Sequence, residues 1–254
     1  MTIRDDHVVA GDLATQAGEK LLEIRKELGF SEPAVLRSEG DRRSHVFLTE
    51  SLARLRPSDV ILSEEATREE RLDPRRQTAE RVWIIDPLDG TREFAEDGRA
   101  DWAVHVALWE RGSLVAGAVA LPAQGRTLTT AAPPPLRQAP DKRIRIAVSR
   151  TRPPEFVQRL AYLVGADLVP IGSAGAKISA VLTGEVEAYV HAGGQYEWDS
   201  AAPVAVAQAA GAYASRIDGS PLTYNKVDPS LPDILVSLPE LAPTLLAGIR
   251  DQRR

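Results

Sequence analysis

A short apolar run that ends in two carboxylates constrains this chain more than any other stretch. Residues 82–94 read VWIIDPLDGTREF, and the bulky, mostly β-branched residues at their start predict a buried strand. Pro87 predicts the end of that strand, because a proline cannot donate to a strand ladder. Asp86 and Asp89 then lie at the turn, with a Gly-Thr pair behind them. Any fold built on this stretch must place two acids at the carboxyl end of a buried strand.

Two acids in this position need compensation, because burial disfavours the charged form of a carboxylate. No run of Lys or Arg lies close by before Arg92, which favours hard metal ions as the compensating charge. Oxygen ligands of this kind suit Mg²⁺, which keeps part of its water shell and bridges to phosphate. An Asx turn or a helix cap is the alternative, since Asp-x-x-Asp-Gly-Thr also satisfies that chemistry. The stretch by itself leaves both interpretations open.

Two more acidic positions lie at the ends of predicted elements. Glu64 and Glu65 follow a short apolar strand predicted over 60–62, and Asp199 begins an alanine-rich helix that is apolar nearly all round. A solvated strand exit and a helix cap are the plain explanations of these acids. Both positions nevertheless repeat the pattern of the first stretch, in which an acid marks the end of a buried element.

A fourth acidic position, Asp41, follows a segment that we predict to be irregular over 31–40. The helix predicted from Arg42 to Leu55 places Asp41 at or beside a helix N-terminus, where an aspartate is most often a cap. The other acidic positions favour a role for Asp41 in a metal centre instead. Acidic clusters at four element ends, in a chain without cysteine, suit a multi-Mg²⁺ centre for phosphoryl transfer.

A small-residue loop over 172–177, GSAGAK, opens another predicted helix. Such a loop at a helix N-terminus is a generic anion cradle, to which Lys177 would add a positive charge. It is not a Walker A loop, because the spacing G-x-x-x-x-G-K-[ST] is absent. Close packing of small residues, with Lys177 exposed, explains the same letters.

The order of the predicted elements indicates two halves. Helices followed by antiparallel hairpins occupy residues 1–135, and strands that alternate with helices occupy residues 142–254. The proline-dense run at 133–140, PPPLRQAP, is the predicted boundary. The charged segment 67–81, which contains Pro74, is predicted to be a mobile surface loop that could act as a lid over the acids.

Composition excludes several functional classes. The chain has 254 residues, no cysteine and a formal net charge of −5, which excludes disulfides and cysteine nucleophiles and disfavours a nucleic acid polymer as partner. No apolar run approaches the length of a membrane span. The spacings of zinc enzymes are absent among the histidines, which are His7, His45, His105 and His191. We therefore expect a soluble, cytoplasmic protein, and the net charge does not exclude a small anionic ligand.

Three runs of the sequence match a known family. They are SEE at 63–65, WIIDPLDGTREF at 83–94 and WDSAA at 198–202, and their order is that of the signatures of the inositol monophosphatase superfamily. The chain resembles this group of Mg²⁺-dependent, Li⁺-sensitive phosphatases over essentially its whole length. The resemblance implies an α/β (α+β) fold, a layered αβαβα sandwich with the active site between two halves. It also implies two to three Mg²⁺ ions per site and, since dimers are common in the family, a possible homodimer.

The resemblance assigns the metal ligands. Glu64, Asp86 and the backbone carbonyl of Leu88 would hold one Mg²⁺. Asp86 would bridge to a second ion, which Asp89 and Asp199 would also hold. A third, more loosely bound ion would contact Glu64 through water.

It also assigns the residues that handle water and substrate. Asp41 and Thr91 would form the dyad that deprotonates the attacking water, so no covalent phosphoenzyme is needed. The backbone amides of Gly90 and Thr91 would receive the phosphate oxygens. Ser173 and Lys177 would contact the substrate, and Lys177 would reach its second phosphate or its ribose.

Within the superfamily, the run GTREF at 90–94 resembles that of the CysQ-type 3′-phosphoadenosine 5′-phosphate phosphatases more than that of the inositol phosphatases. VSR at 148–150 and DGSPLTYN at 218–225 point the same way. The resemblance thus implies hydrolysis of the 3′-phosphate of this nucleotide, in sulfur assimilation. Activity on inositol 1-phosphate or fructose 1,6-bisphosphate, alone or in addition, is the alternative. A catalytically inactive binding module is a third hypothesis, which the complete set of acids argues against.

Overall fold

The strands of the chain form two separate sheets with helices on their faces. In the computed structural model, residues 5–139, 143–151 and 153–252 are described. The described part of the predicted boundary, residues 133–139, has no regular secondary structure. Its last residue, Pro140, and the predicted start of the second half at residue 142 lie outside the described residues. No helix in the described ranges combines the length and the apolar character that crossing a membrane requires.

The first part of the chain supplies α1 (Asp6–Leu28), α2 (Pro33–Leu55), β1 (Val60–Ser63), α3 (Arg68–Arg71), α4 (Pro74–Thr78), β2 (Arg81–Asp89), α5 (Thr91–Phe94), β3 (Ala103–Glu110), β4 (Ser113–Leu121) and β5 (Arg126–Thr129). The second part supplies β6 (Arg145–Ser149), α6 (Glu155–Val164), β7 (Asp167–Ile171), α7 (Ala174–Thr183), β8 (Ala188–Tyr196), α8 (Ala201–Ala209), β9 (Tyr213–Ser215), β10 (Ser230–Ser237) and α9 (Ala242–Asp251).

The two sheets differ in their strand pairing. The first has the order β1-β2-β3-β4-β5, in which β1 and β2 are parallel and the other neighbours are antiparallel, as the predicted hairpins require. The second has the order β7-β6-β8-β10-β9, with β6 parallel to both β7 and β8. Helices connect the strands of each parallel pair, because a parallel connection needs a long crossover.

Helices and sheets alternate in five layers. α1 and α2 pack on one face of the first sheet, and α7 and α8 pack on its other face. α7 also contacts the second sheet, whose far face is covered by α6 and α9. Apolar residues fill the spaces between the layers and are removed from water, which is the main driving force for this arrangement. The predicted αβαβα sandwich is confirmed.

The second helix is longer than predicted. α2 begins at Pro33, which fits the first turn of a helix because no intrahelical partner is needed there. It then runs without a break through the segment expected to be irregular. Gly40 serves packing, since a Cβ there would lie 2.7 Å from Phe94 Cε1 and 2.9 Å from Leu88 Cδ2. The predicted helix start beside Asp41 is therefore wrong: Asp41 lies inside α2 and is half-buried.

The central strand continues past Pro87. Its register against β3 changes between Asp86, which lies opposite His105, and Asp89, which lies opposite Ala103. Three steps along β2 thus match two steps along β3, so β2 carries one extra residue in a β-bulge. A bulge tolerates proline, because the bulged segment makes no regular ladder hydrogen bonds. The predicted strand end before Pro87 is wrong for this reason.

The segment predicted to be a mobile loop over 67–81 contains α3 and α4 instead. Arg76 of α4 is 1% exposed. Its guanidinium donates to Asn225 Oδ1 at 2.8 Å and to the carbonyl oxygens of Lys226 and Val227 at 2.8 and 3.0 Å. The segment is therefore anchored to the second half of the chain through one buried side chain.

We expect Arg76→Ala to destabilise the fold strongly and Arg75→Ala to change it little. Loss of the Arg76 guanidinium leaves Asn225 Oδ1 and the carbonyl oxygens of Lys226 and Val227 without this donor. It also removes a positive charge that lowers the pKa of buried Glu197, and the total cost should be about 3 kcal/mol. Arg75 is 85% exposed and pairs with Asp73 on the surface, so its loss should cost less than about 0.5 kcal/mol. Urea unfolding of both variants measures the difference, and equal free energies of unfolding would contradict the anchor.

Candidate active site

The predicted site residues come together in one cleft of about 300 Å³. The carboxyl end of β2, the first turn of α7 and the residues before α8 form its walls. All the predicted residues except Asp41 line it, namely Glu64, Asp86, Leu88, Asp89, Gly90, Thr91, Ser173, Lys177 and Asp199. The cleft therefore draws on both halves of the chain.

Asp86 is fully buried, and one of its two oxygens lacks a hydrogen-bond donor. Oδ1 accepts from the backbone N–H of Leu88 at 3.0 Å, which is the Asx turn that the sequence left open. Oδ2 is buried without a hydrogen-bond partner among the residues that the structure describes. Burial raises the pKa of Asp86 well above its usual range, and the negative charges of Glu64 and Asp89 raise it further. A bound cation would give Oδ2 a partner and would offset the repulsion between the carboxylates.

Asp89 accepts hydrogen bonds from the start of α7. Its Oδ1 accepts from Ala174 N–H at 3.3 Å, and its Oδ2 accepts from Gly175 N–H at 2.6 Å. The helix-cap interpretation is thus also realised, although Asp89 caps a helix of the other half of the chain. One oxygen each of Asp86 and Asp89 and a ring nitrogen of His105 lie within 4.8 Å of one another, close enough to surround a single ion.

Glu64 and Asp199 extend the acidic cluster from two other elements. Burial raises the pKa of Glu64 to about 7 and that of Asp199 to about 8, and in both cases the charge of Asp89 acts in the same direction. Asp199 Oδ2 also accepts from Tyr196 N–H at 2.6 Å, which holds its carboxylate toward the cleft wall. Buried carboxylates that repel one another fit divalent cations bound through oxygen.

Asp41 reaches the same cluster from the side of α2. Burial raises its pKa to about 7, and the charges of Glu65 and Glu64 add to the effect. A carboxylate with such a pKa is suited to accept a proton near neutral pH. No hydrogen bond joins Asp41 to Thr91 in the described ranges, so the expected dyad stays a prediction.

Gly90 permits the close approach of the two walls. Its φ is +86°, a left-handed conformation that favours glycine. A Cβ at this position would lie 2.8 Å from Ser173 Cβ and 3.3 Å from Trp102 Cα. The short helix α5 begins directly after it at Thr91, whose N–H has no partner inside the helix and lines the cleft.

The GSAGAK loop places a buried cation in the opposite wall. Ser173 caps α7 through a hydrogen bond that its Oγ accepts from Ala176 N–H at 2.9 Å. Lys177 is only 4% exposed, and its Nζ donates to the carbonyl of Gly172 at 2.5 Å. Burial lowers the pKa of Lys177, while the charge of Asp89 raises it. The interpretation of Lys177 as an exposed surface residue is wrong.

The sequence pattern alone missed two residues at this site. His105 carries no metal-binding spacing along the chain, yet strand pairing places it opposite Asp86. The β-rich residues around His105 predict a strand of the antiparallel hairpins, but they do not show which strand pairs with it. Arg150 was noted only as part of a motif. It lines the cleft and pairs with buried Glu93 at 3.0 Å.

Comparison with known proteins agrees with this geometry. Residues 6–253 match the model of the inositol monophosphatase family. The chain is 51% identical over 259 residues to the 3′-phosphoadenosine 5′-phosphate phosphatase of Mycobacterium leprae, which covers 97% of this chain and 94% of that protein. It is 32% identical over 199 residues to the 3′(2′),5′-bisphosphate nucleotidase CysQ of Escherichia coli K12, covering 72% of this chain and 77% of that protein.

A solved structure shows the same fold. Staphylococcal IMPase-II superposes with a TM-score of 0.77 at 21% identity, covering 97% of this chain and 95% of that one. The family match spans both sheets and every element that lines the cleft. On sequence and fold together, this chain belongs to the inositol monophosphatase family.

Proposed function

We propose that this protein is a metal-dependent phosphatase that removes the 3′-phosphate of 3′-phosphoadenosine 5′-phosphate and leaves AMP. One observation carries the proposal: the cleft joins a buried carboxylate cluster, which needs cations, to a wall that carries Lys177 and Arg150. Such a cleft has a place for a reacting phosphate and a place for a second anionic group. The 51% identity to the mycobacterial phosphatase supports the choice of substrate.

The chain's oxygen atoms define where the cation would lie. Asp86 would be the central ligand, with Glu64 on one side, Asp89 and Asp199 on the other, and the carbonyl of Leu88 as a further oxygen. The oxygen donor set favours Mg²⁺, and the family resemblance implies two to three ions per site. Bound there, Mg²⁺ neutralises the phosphate monoester and aligns the attacking and leaving oxygens.

The remaining residues would position the phosphate and move one proton. The N–H groups of Gly90 and Thr91 would receive phosphate oxygens, and the Thr91 hydroxyl would orient the water. Water would attack phosphorus as the bond to the 3′-oxygen breaks, Asp41 would accept a proton of the water, and the leaving 3′-oxygen would take a proton from solvent to give the 3′-hydroxyl of AMP. The partly buried position of Asp41 on α2, beside the acidic cluster, suits that task. Since water attacks directly, no residue carries the phosphoryl group.

The second phosphate of the substrate would contact the cleft wall that carries Lys177. Ser173 lies in the same wall, at the start of α7. The active site would then lie between the halves 1–135 and 142–254, because β2 and α7 supply its opposite walls. Inhibition by Li⁺ and a homodimer in solution follow from the family resemblance. Activity in millimolar LiCl and light scattering would check them.

A steady-state comparison of three substrates tests the proposal. With Mg²⁺ present, kcat/KM should be highest for 3′-phosphoadenosine 5′-phosphate and lower for inositol 1-phosphate and fructose 1,6-bisphosphate. Equal or faster turnover of inositol 1-phosphate would transfer the assignment to the alternative substrates. Absence of turnover of all three, in protein that is folded and binds metal, would favour the inactive binding module.

Lys177→Met is expected to lower kcat/KM for the bisphosphorylated nucleotide about 30-fold and to spare inositol 1-phosphate. The lost contact is a charge-assisted hydrogen bond worth about 2 kcal/mol. Methionine has a similar length, but the carbonyl of Gly172 loses its donor, so activity is compared per folded molecule. Lys20→Met, on α1 and far from the cleft, is the matched control. An equal loss on both substrates would place Lys177 outside the recognition of the second phosphate.

A further inference from the structure

A buried histidine connects the metal-binding cluster to the loop before α8. His105 lies on β3, and its side chain is completely buried. Its Nδ1 lies 3.0 Å from the backbone carbonyl oxygen of Trp198. A carbonyl oxygen only accepts, so Nδ1 must donate, and this bond fixes the orientation of the ring.

The other ring nitrogen faces the acids. Nε2 of His105 lies 3.3 Å from Asp89 Oδ2, the oxygen that also accepts from Gly175 N–H. It has no hydrogen-bond partner among the described residues. With its proton on Nδ1, the neutral ring presents the lone pair of Nε2 to Asp89 Oδ2, so the ring fills the space beside this oxygen without donating to it.

The helix that faces this ring leaves room for it. A Cβ on Gly175 would lie 2.0 Å from His105 Nε2 and 3.1 Å from Ala103 Cβ. No side chain larger than hydrogen is compatible with the ring in this position, although Gly175 lies in an ordinary helical conformation. The lack of a side chain at Gly175 is a second, independent observation that this part of the fold accommodates the imidazole ring of His105.

His105 thereby joins three segments that must stay in register. Asp89 follows the bulge of β2, Gly175 lies in the first turn of α7, and Trp198 directly precedes Asp199. A shift of the ring would move the Trp198 carbonyl, and Asp199 with it, and would open a space beside Asp89. The side chain has no access to the substrate, because it is buried and does not line the cleft.

We propose that His105 is a positioning residue that fixes the Trp198 carbonyl, and with it Asp199, and fills the space beside Asp89, so that both acids keep the separation a divalent cation requires. It would set the affinity for the metal rather than take part in the chemical step. Partners of this kind behind metal ligands typically contribute about 10- to 100-fold in metal affinity. This inference rests on the cation site of the proposed function, and it does not depend on which phosphate ester is the substrate.

Metal binding in the absence of substrate tests the inference. Mn²⁺ is the probe, with its dissociation constant measured by electron paramagnetic resonance on purified full-length chain. We expect His105→Ala to weaken binding about 10- to 100-fold. His105→Asn keeps a side-chain N–H near the position of Nδ1 and can retain the bond to Trp198, so it should recover part of the loss. At saturating metal, kcat should stay within about threefold of the wild type, while the Mg²⁺ concentration for half-maximal activity rises with the Mn²⁺ constant.

Val106→Ala is the matched control. Val106 is the next residue on β3, equally buried, and belongs to the core on the other face of the sheet. It should lower the free energy of unfolding by about 1 kcal/mol and leave Mn²⁺ affinity unchanged. Unchanged affinity in His105→Ala, or an equal loss in Val106→Ala, would overturn the inference.

Two further outcomes separate this inference from its neighbours. A nitrogen coupling in the resonance spectrum of wild-type Mn²⁺ protein would make His105 a direct ligand and refute the positioning role. Failure of the wild-type chain to bind Mn²⁺ or Mg²⁺ at all would refute the metal dependence of the proposed function, and the inference with it. Loss of affinity in His105→Ala alone, whatever the preferred substrate, would support the inference.

Discussion

Asp86→Asn is expected to lower kcat about a thousandfold or more while the fold stays intact. Asp86 supplies the one buried carboxylate oxygen of the cluster that lacks a partner, and it lies between Glu64 and Asp89. An amide has the same shape but carries no negative charge, so the cation would lose its central ligand. A loss of about 4 kcal/mol of transition-state stabilisation corresponds to that factor. Single-turnover measurements at saturating Mg²⁺ check it.

The same substitution should not destabilise the chelated protein. The asparagine Oδ1 can still accept from Leu88 N–H, and the amide replaces a repelled carboxylate with a donor. In EDTA at pH 8 we expect a free energy of unfolding equal to that of the wild type or higher by about 1 kcal/mol. Turnover within tenfold of the wild type would refute the central role of Asp86.

Asp59→Asn gives the opposite result and serves as control. Asp59 is also a buried aspartate, but Arg81 Nε pairs with it at 3.1 Å and Trp83 Nε1 donates to it at 2.9 Å. Its loss should cost about 2 kcal/mol of stability, because Arg81 loses a charged partner. Activity per folded molecule should be unchanged, since Asp59 does not line the cleft. Asp86 would thus serve catalysis at the expense of stability, whereas Asp59 would stabilise the fold.

Removal of the metal should make stability fall as the pH rises from 6 to 9. Burial raises the folded-state pKa of Asp41 and Glu64 to about 7 and that of Asp199 to about 8. Between their ordinary values and these raised ones, the folded chain binds more protons than the unfolded chain. The stabilisation is therefore fully present below about pH 4 and is lost as the pH rises through 7 to 8.

The expected loss between pH 6 and pH 9 is about 3 kcal/mol in EDTA, a figure reduced for the partial exposure of Asp41 and for the coupling among the acids. Millimolar Mg²⁺ should restore stability at pH 8 to 9, because binding to the folded chain alone stabilises it. NaCl at the same ionic strength is the control for screening. Thermal unfolding across this pH range measures both effects. A flat or rising profile in EDTA, or full recovery in NaCl, would contradict the cluster's electrostatics.

Some elements of the fold follow from local patterns. α1 buries Val9, Leu13, Ala17 and Leu21, which recur every four residues in the sequence, and Asp5 caps it by accepting from His7 N–H at 2.8 Å. The sequence also predicted the hairpins of the first sheet and the alternation of strands and helices in the second half. It could do so because the periodicity of apolar side chains indicates which face of an element is buried. The order of these elements and the family resemblance were enough to predict the layered sandwich.

Other elements depend on contacts that no local pattern carries. Ser38-Glu39-Gly40-Asp41 resembles a helix start, yet Gly40 lies mid-helix because Phe94 packs against it. The charged segment 67–81 resembles a flexible loop, yet Arg76 anchors it to residues distant in sequence. In both cases a tertiary contact outweighs the local preference, since helix and turn propensities are worth about 1 kcal/mol or less per residue.

The site divides in the same way. By itself, the sequence predicted which acids could share a cation, because Asp86 and Asp89 lie at the carboxyl end of an apolar run that favours a buried strand. Only the tertiary structure decided that Asp89 also caps α7, that Lys177 is buried, and that His105 lies between Asp89 and the backbone carbonyl of Trp198. The physical reason is the distance along the chain between the residues that interact. The apolar residues of a strand predict its own burial, whereas a pairing register and a shared hydrogen bond exist only once distant segments have packed together.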